Sequence, residues 1–222
     1  MKKTLQGVAF SAALLGASAA AAQALALRAG LTTGFGAELG YGVNDYLAVR
    51  ASYGAGSLSY DTTESDIRYD FKWKPQLALL TADIHPFAGW FRVSVGFGNH
   101  GTKLTGRAVA TSGTLEIGNQ TFNAADVGSV DARVSFKRAS PYLGIGWGAA
   151  ARGNAGFYFT SDIGVVFSRA TGSVTGTCAA GVPPATCTQL QQELQNESQS
   201  FRQEVERIKY YPVITVGVGY RF

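Results

Sequence analysis

The chain holds two histidines and two cysteines, the side chains best suited to acid–base, nucleophilic or metal chemistry. His85 is followed by Pro86 between two apolar runs, which reads as a tight turn. His100 stands before a polar stretch carrying Ser129 and Asp131, the loose outline of a base, a hydroxyl and an orienting carboxylate. A single histidine in a polar loop is ordinarily solvated, so no catalytic residue is assigned. Cys178 and Cys187 enclose AAGVPPAT, both histidines lie far away in sequence, and no C-x-x-C occurs. A metal centre is therefore not expected, and no motif asks for a cofactor. In an exported chain the pair reads as a disulfide, closing a short loop at a gain of about 2–3 kcal/mol.

The remaining candidate chemistry is ionic. Arg28, Glu38, Arg50, Arg92, Asp162 and Arg221 occur singly, each in a segment where large apolar side chains alternate with small ones. In LALRAGLTTGFGAELGYGV the odd positions include Leu25, Leu27, Leu31, Phe35, Leu39 and Tyr41, and the even ones include Arg28, Gly30, Gly36 and Glu38. YLAVRASYGAG, IRYDFKWKPQL, FRVSVGFG, PYLGIGWG, GFYFTSDIGVVFS and YYPVITVGVGYRF repeat the pattern. A period of two is the signature of strands with one apolar face. Tyr158 and Tyr211 fall on the same side as the charges.

Such strands suit a soluble sandwich, apolar face inward, or a transmembrane barrel, apolar face outward. A sandwich would crowd charges onto its wet face. Here that face is mostly Gly, Ser, Thr and Ala with isolated charges, which suits the cramped interior of a narrow barrel where opposite charges pair. Tyr41, Tyr46, Phe87, Trp90, Phe91, Trp147, Phe157, Tyr220 and Phe222 lie beside short connections or the C-terminus. Tyr53, Tyr69, Phe71, Trp73, Phe97, Phe167 and Tyr210 lie toward the other strand ends. Two aromatic girdles are the expectation. Connections alternate between short ones (GVND, HPFAG, AAARGN) and long polar ones (56–66, 99–128, 169–208), as short periplasmic turns and long external loops do.

The first residues add a compartment. Lys2 and Lys3 precede an uncharged Ala- and Leu-rich stretch, and Ala22-Gln23-Ala24 offers a cleavage site. Residues 1–22 read as a secretory signal peptide cut near Ala22 or Ala24, leaving 23–222 as the mature domain. Its loss takes two lysines from the formal +4, leaving 4 − 2 = +2, a near balance that gives no reason to expect a nucleic-acid partner.

With these segments, and with GVGYRF at its end, the chain resembles the small outer-membrane β-barrels of Gram-negative bacteria, such as the OmpA membrane domain and OmpW-type proteins. The resemblance implies that Phe222, with Tyr220 and Val218 two and four places earlier, is a signal read by the outer-membrane assembly machinery. It also implies a location in the outer membrane, among lipids that include lipopolysaccharide. The expected fold is all-β: an eight-stranded antiparallel transmembrane barrel. Seven runs are plain, and the eighth comes from splitting the first at a turn near Thr32-Thr33-Gly34. A ten-stranded barrel would need SGTLEIGNQTFNAADVG to cross the membrane, whereas its polarity reads as an external hairpin.

Arg28, Glu38, Arg50, Arg92, Tyr158, Asp162, Tyr211 and Arg221 are then the lumen-facing candidates. An eight-stranded barrel is only just wide enough for its own side chains. A closed salt-bridged core and a narrow path for small polar solutes both fit. Lys72, Lys74, Lys103, Arg107, Arg133 and Lys137 gather toward the external strand ends, a basic rim suited to lipopolysaccharide phosphates or to attracting anions. Leu190, Leu194, Phe201, Val205 and Ile208 recur at helical spacing, which predicts an amphipathic helix over 188–208 within a disulfide-stapled external loop, 169–208. The function expected is that of a non-enzymatic porin-like or envelope-structural barrel. The alternatives are a surface lipid-modifying enzyme centred on His100, and an adhesin acting through the external loops.

Overall fold

The computed structural model describes residues 24–64, 66–110, 112–148 and 153–222; the expected signal peptide lies outside the described residues. The strands in chain order are β1 (Ala24–Gly30), β2 (Gly34–Gly42), β3 (Leu47–Ala55), β4 (Leu58–Glu64), β5 (Ile67–Lys74), β6 (Gln76–Ile84), β7 (Phe91–His100) and β8 (Lys103–Ala110). They continue with β9 (Thr114–Ile117), β10 (Gln120–Asn123), β11 (Val127–Phe136), β12 (Ala139–Trp147), β13 (Gly156–Val166) and β14 (Ala170–Cys178). Helix α1 (Pro184–Glu206) and β15 (Tyr211–Arg221) complete the chain.

Eight strands close into an antiparallel barrel in the order β1-β15-β13-β12-β7-β6-β3-β2. The first run does split into a hairpin, β1 and β2, at residues 31–33. Gly34 closes that turn at φ 75°, and a Cβ there would overlap the backbone of Ala55. Large apolar residues cover the outside: Leu27, Phe35, Leu80, Phe97, Phe159 and Val216 are each exposed. The aromatics beside the short turns form one exposed girdle, and Tyr53, Phe97, Phe167 and Tyr210 begin a second at the other end.

Tyr69, Phe71 and Trp73 do not belong to that second girdle, which corrects the sequence expectation. Their strand, β5, lies outside the barrel, and the barrel strand is the following run, QLALLTADI. Pro75 separates the two, having no N–H for a continuous ladder. In QLALLTADI both faces are apolar at first, so the alternation is hidden. Leu77 and Leu79 are buried in the lumen while Leu80 is exposed.

The regions expected as long polar loops are also largely strand. β14, β11, β8, β5 and β4 pair in that order into a second antiparallel sheet. Four of them prolong the barrel wall: β5, β8, β11 and β14 adjoin β6, β7, β12 and β13 across short breaks. Backbone bonds zip the breaks, Gly101 N–H to the Gln76 carbonyl (2.9 Å), His100 N–H to Arg138 (2.7 Å) and Lys137 N–H to Arg169 (3.0 Å). β9 and β10 form a separate hairpin and add nothing to the barrel.

Helix α1 packs on the inner face of this sheet, against β14. Gly172 and Gly176 leave room there for Phe201, Val205 and Leu194. Ile117, Phe122, Val127, Leu190 and Leu194 make a second core outside the barrel. The helix starts at Pro184, earlier than its apolar spacing indicates, because proline is well suited to the first helical turn. Cys187 therefore lies within α1, and the Cys178–Cys187 disulfide (Cα–Cα 5.8 Å) ties the end of β14 to its first turns. Ile208 falls beyond the helix end and is exposed. Leu194→Ala should cost about 2–5 kcal/mol of the outer unit's stability. The expected result is faster proteolysis within 169–208, with the barrel's heat-dependent gel mobility unchanged.

Candidate functional site: the ionic core of the barrel

All eight lumen candidates face inward. Arg28, Glu38, Arg50, Arg92, Asp162, Tyr211 and Arg221 are buried, and Tyr158 is partly buried. Alternation delivers this directly, because a side chain on the small-residue face of a barrel strand has only the lumen to enter. Each charged member comes from a different strand: Arg28 from β1, Glu38 from β2, Arg50 from β3, Arg92 from β7, Asp162 from β13 and Arg221 from β15.

Five of these side chains, joined by Asp83 of β6, form one network of three arginines and three carboxylates. Arg28 donates to Glu38 (2.6 Å), to Asp162 and to the Thr215 hydroxyl. Arg50 donates to Glu38 (2.8 Å), to Asp162 (3.0 Å), to both oxygens of Asp83 (2.6 and 3.2 Å) and to Ser94 (3.0 Å). Arg92 donates to Asp162 (2.9 Å) and Thr160 (2.8 Å) and lies 3.8 Å from Asp83. Asp162 touches all three arginines. Strand β12 supplies glycine instead of charge: a Cβ on Gly146 would sit 2.5 Å from an Asp162 carboxylate oxygen. Gly146 and Gly148 of GIGWG thus vacate volume that Asp162 and Arg92 fill, while Gly144 makes room for Tyr142.

Asp83 is the member that sequence reasoning missed. Its signal was the alternation Leu77, Leu79, Thr81, Asp83, masked by the apolar Ala78 and Leu80 interleaved with them. Arg221 and Tyr158 line a cavity of about 40 Å³ at the turn end, together with His85. His85 Nδ1–H donates to the Gly89 carbonyl (2.7 Å), and burial pushes its imidazole below the ordinary histidine range.

Above the network the lumen turns apolar. Leu77, Leu79, Tyr142, Val166, Tyr211 and Val213 pack together, with Phe136 against them. His100, expected in an external loop, ends β7 and is buried here, because an even position on that strand points inward. Its ring lies 5.4 Å from Phe136 and 4.5 Å, edge-on, from Tyr211. Tyr211 donates its hydroxyl to the Thr32 carbonyl, tying the cluster to the β1–β2 turn. Ser129 and Asp131 bond each other (3.2 Å) on the opposite face of the outer sheet, so the loose constellation around His100 is not brought together. Between network and cluster lies a cavity of about 20 Å³, room for about one water.

The basic residues do share a surface. Lys72, Lys74, Lys103, Arg107 and Arg133 lie on the outward face of the second sheet, by register and alternation. Lys137 is exposed in the break below them.

No protein-family model matches the chain, and no curated protein matches its sequence. Solved structures do match. Acinetobacter baumannii CarO aligns with TM-score 0.56 and 18% identity over 90% of this chain and 98% of its own. Acinetobacter baumannii CarO2 aligns with TM-score 0.56 and 18% identity over 91% and 99%.

Asp162→Ala removes the carboxylate that all three arginines share, leaving Arg92 only the Asp83 carboxylate at 3.8 Å, and should destabilise the barrel by about 3–5 kcal/mol. Urea unfolding followed by gel mobility is the measurement, and an unchanged midpoint would mean that the network contributes nothing. In fold, this chain meets the resemblance drawn from its sequence: its described residues form an all-β structure with a closed eight-stranded antiparallel barrel and an α-helix late in the chain, the architecture it has in common with the CarO barrels.

Proposed function

We propose that the protein is an outer-membrane barrel of a Gram-negative envelope. In this reading the spanning part is closed in its resting state, and its role is structural, holding a folded unit outside the membrane. The observation that carries the reading is the inverted distribution of polarity. Charges lie in the lumen, while side chains such as Phe159 (83% exposed) and Phe97 (67%) ring the outside. In water so large an apolar surface is an aggregation site; against lipid it is the expected surface. No described helix is long and apolar enough to span a membrane, so the strands are the spanning elements in this reading.

Export follows from the leader-like residues 1–22, and recognition by the assembly machinery from Val218, Tyr220 and Phe222, all exposed at the end of the last strand. The closed state is supported by the ion network and by the apolar cluster above it, which block the lumen in series. Passage of small solutes would require both to part. Planar-bilayer recording of the refolded mature protein should show a silent membrane at neutral pH. Discrete conductance steps would overturn the closed-barrel reading and favour a solute path past Arg50 and Asp162.

A further inference from the structure

The outward face of the second sheet separates charge by height above the barrel. Nearest the barrel is the row Ser135–Lys103–Lys74, and next comes Arg133–Thr105–Lys72. These two rows hold four cations and no acid. The following row on that face, Asp131–Arg107–Asp70–Asp61, holds three acids and one cation.

Lys74 stands directly opposite Lys103, a like-charge pairing that costs stability in a sheet. Among the described residues, Lys72, Lys74, Lys103 and Arg133 have no ion-pair partner. All four are exposed. The adjoining barrel strands β7 and β6 carry the apolar belt below: Lys103 follows Phe97 by six residues and Lys74 precedes Leu80 by six, roughly 20 Å along the chain. Strand tilt shortens that height, and lysine stems reach back toward lipid.

We infer that these two basic rows bind the phosphates of a bis-phosphorylated lipid A headgroup in the leaflet beside them. The inference rests on the outer-membrane reading above. Two features select this occupant. Two rows of cations without an acid nearest the lipid belt, with a net acidic row beyond them, fit an anion fixed at headgroup depth and disfavour a soluble polyanion approaching from outside. Cross-strand neighbours about 5 Å apart, repeated in a second row about 7 Å further on, suit a headgroup with more than one phosphate. Ser135 and Thr105, interleaved with the cations, add hydroxyl donors.

The test is retention of lipid by the refolded mature protein, read by native mass spectrometry from detergent, with insertion into liposomes scored separately by flotation. The probes are bis-phosphorylated lipid A, lipid A stripped of both phosphates, and phosphatidylglycerol. Wild-type protein should prefer the first by at least about tenfold. Joint replacement Lys72→Gln, Lys74→Gln, Lys103→Gln and Arg133→Gln should abolish that preference, whereas Arg68→Gln with Arg107→Gln in the outer rows should keep it. If the fourfold variant does not fold, Lys74→Gln alone relieves the like-charge pair and should still lower retention about threefold to fivefold. Equal retention of the stripped lipid or of phosphatidylglycerol by an inserted barrel overturns this inference alone, as does an undiminished variant. A protein that never inserts overturns the outer-membrane reading together with it.

Discussion

The fold depends on pairing charges inside a space too narrow for water to solvate them. Three arginines and three carboxylates meet in the lumen, and each needs partners because an isolated buried charge is far costlier than any single contact returns. That requirement fixes the register of six strands at once. Shifting one strand by a residue would carry its charge to the outer face of the barrel and its apolar residues into the network. Asp162, bridging all three arginines, concentrates the constraint, and the glycines of β12 and β15 supply the volume.

The apolar cluster above the network follows from the same narrowness. Once charges occupy the turn end, the sheet end of the lumen is filled by Leu77, Leu79, Tyr142, Val166, Tyr211 and Val213. Phe136 joins them from the second sheet, so the barrel and its extension share one packed interior at the junction. Helix α1 continues that packing outward over Gly172 and Gly176, fastened at its start by Cys178–Cys187. The apolar stripe of α1 is thereby largely occupied within the chain. What stays available outside is the basic outer face and the aromatic edge around Tyr60 and Phe71.

The sequence by itself determined the barrel, the split of the first run into a hairpin, and the inward direction of Arg28, Glu38, Arg50, Arg92, Tyr158, Asp162, Tyr211 and Arg221. The inward direction rests on a period of two, which a strand enforces locally; the barrel rests on the small residues that share the charged face, and the split on the even strand number of such barrels. It also located an amphipathic helix, since its spacing is equally local. Tertiary structure decided the rest. Asp83 joined the network only because β6 takes its place between β3 and β7, where an apolar stretch on both faces had hidden its register. Tyr69, Phe71 and Trp73 left the girdle because Pro75 moved the barrel strand one segment along. The polar runs read as loops became a sheet because they pair with one another across long sequence distances. No local pattern records such pairing.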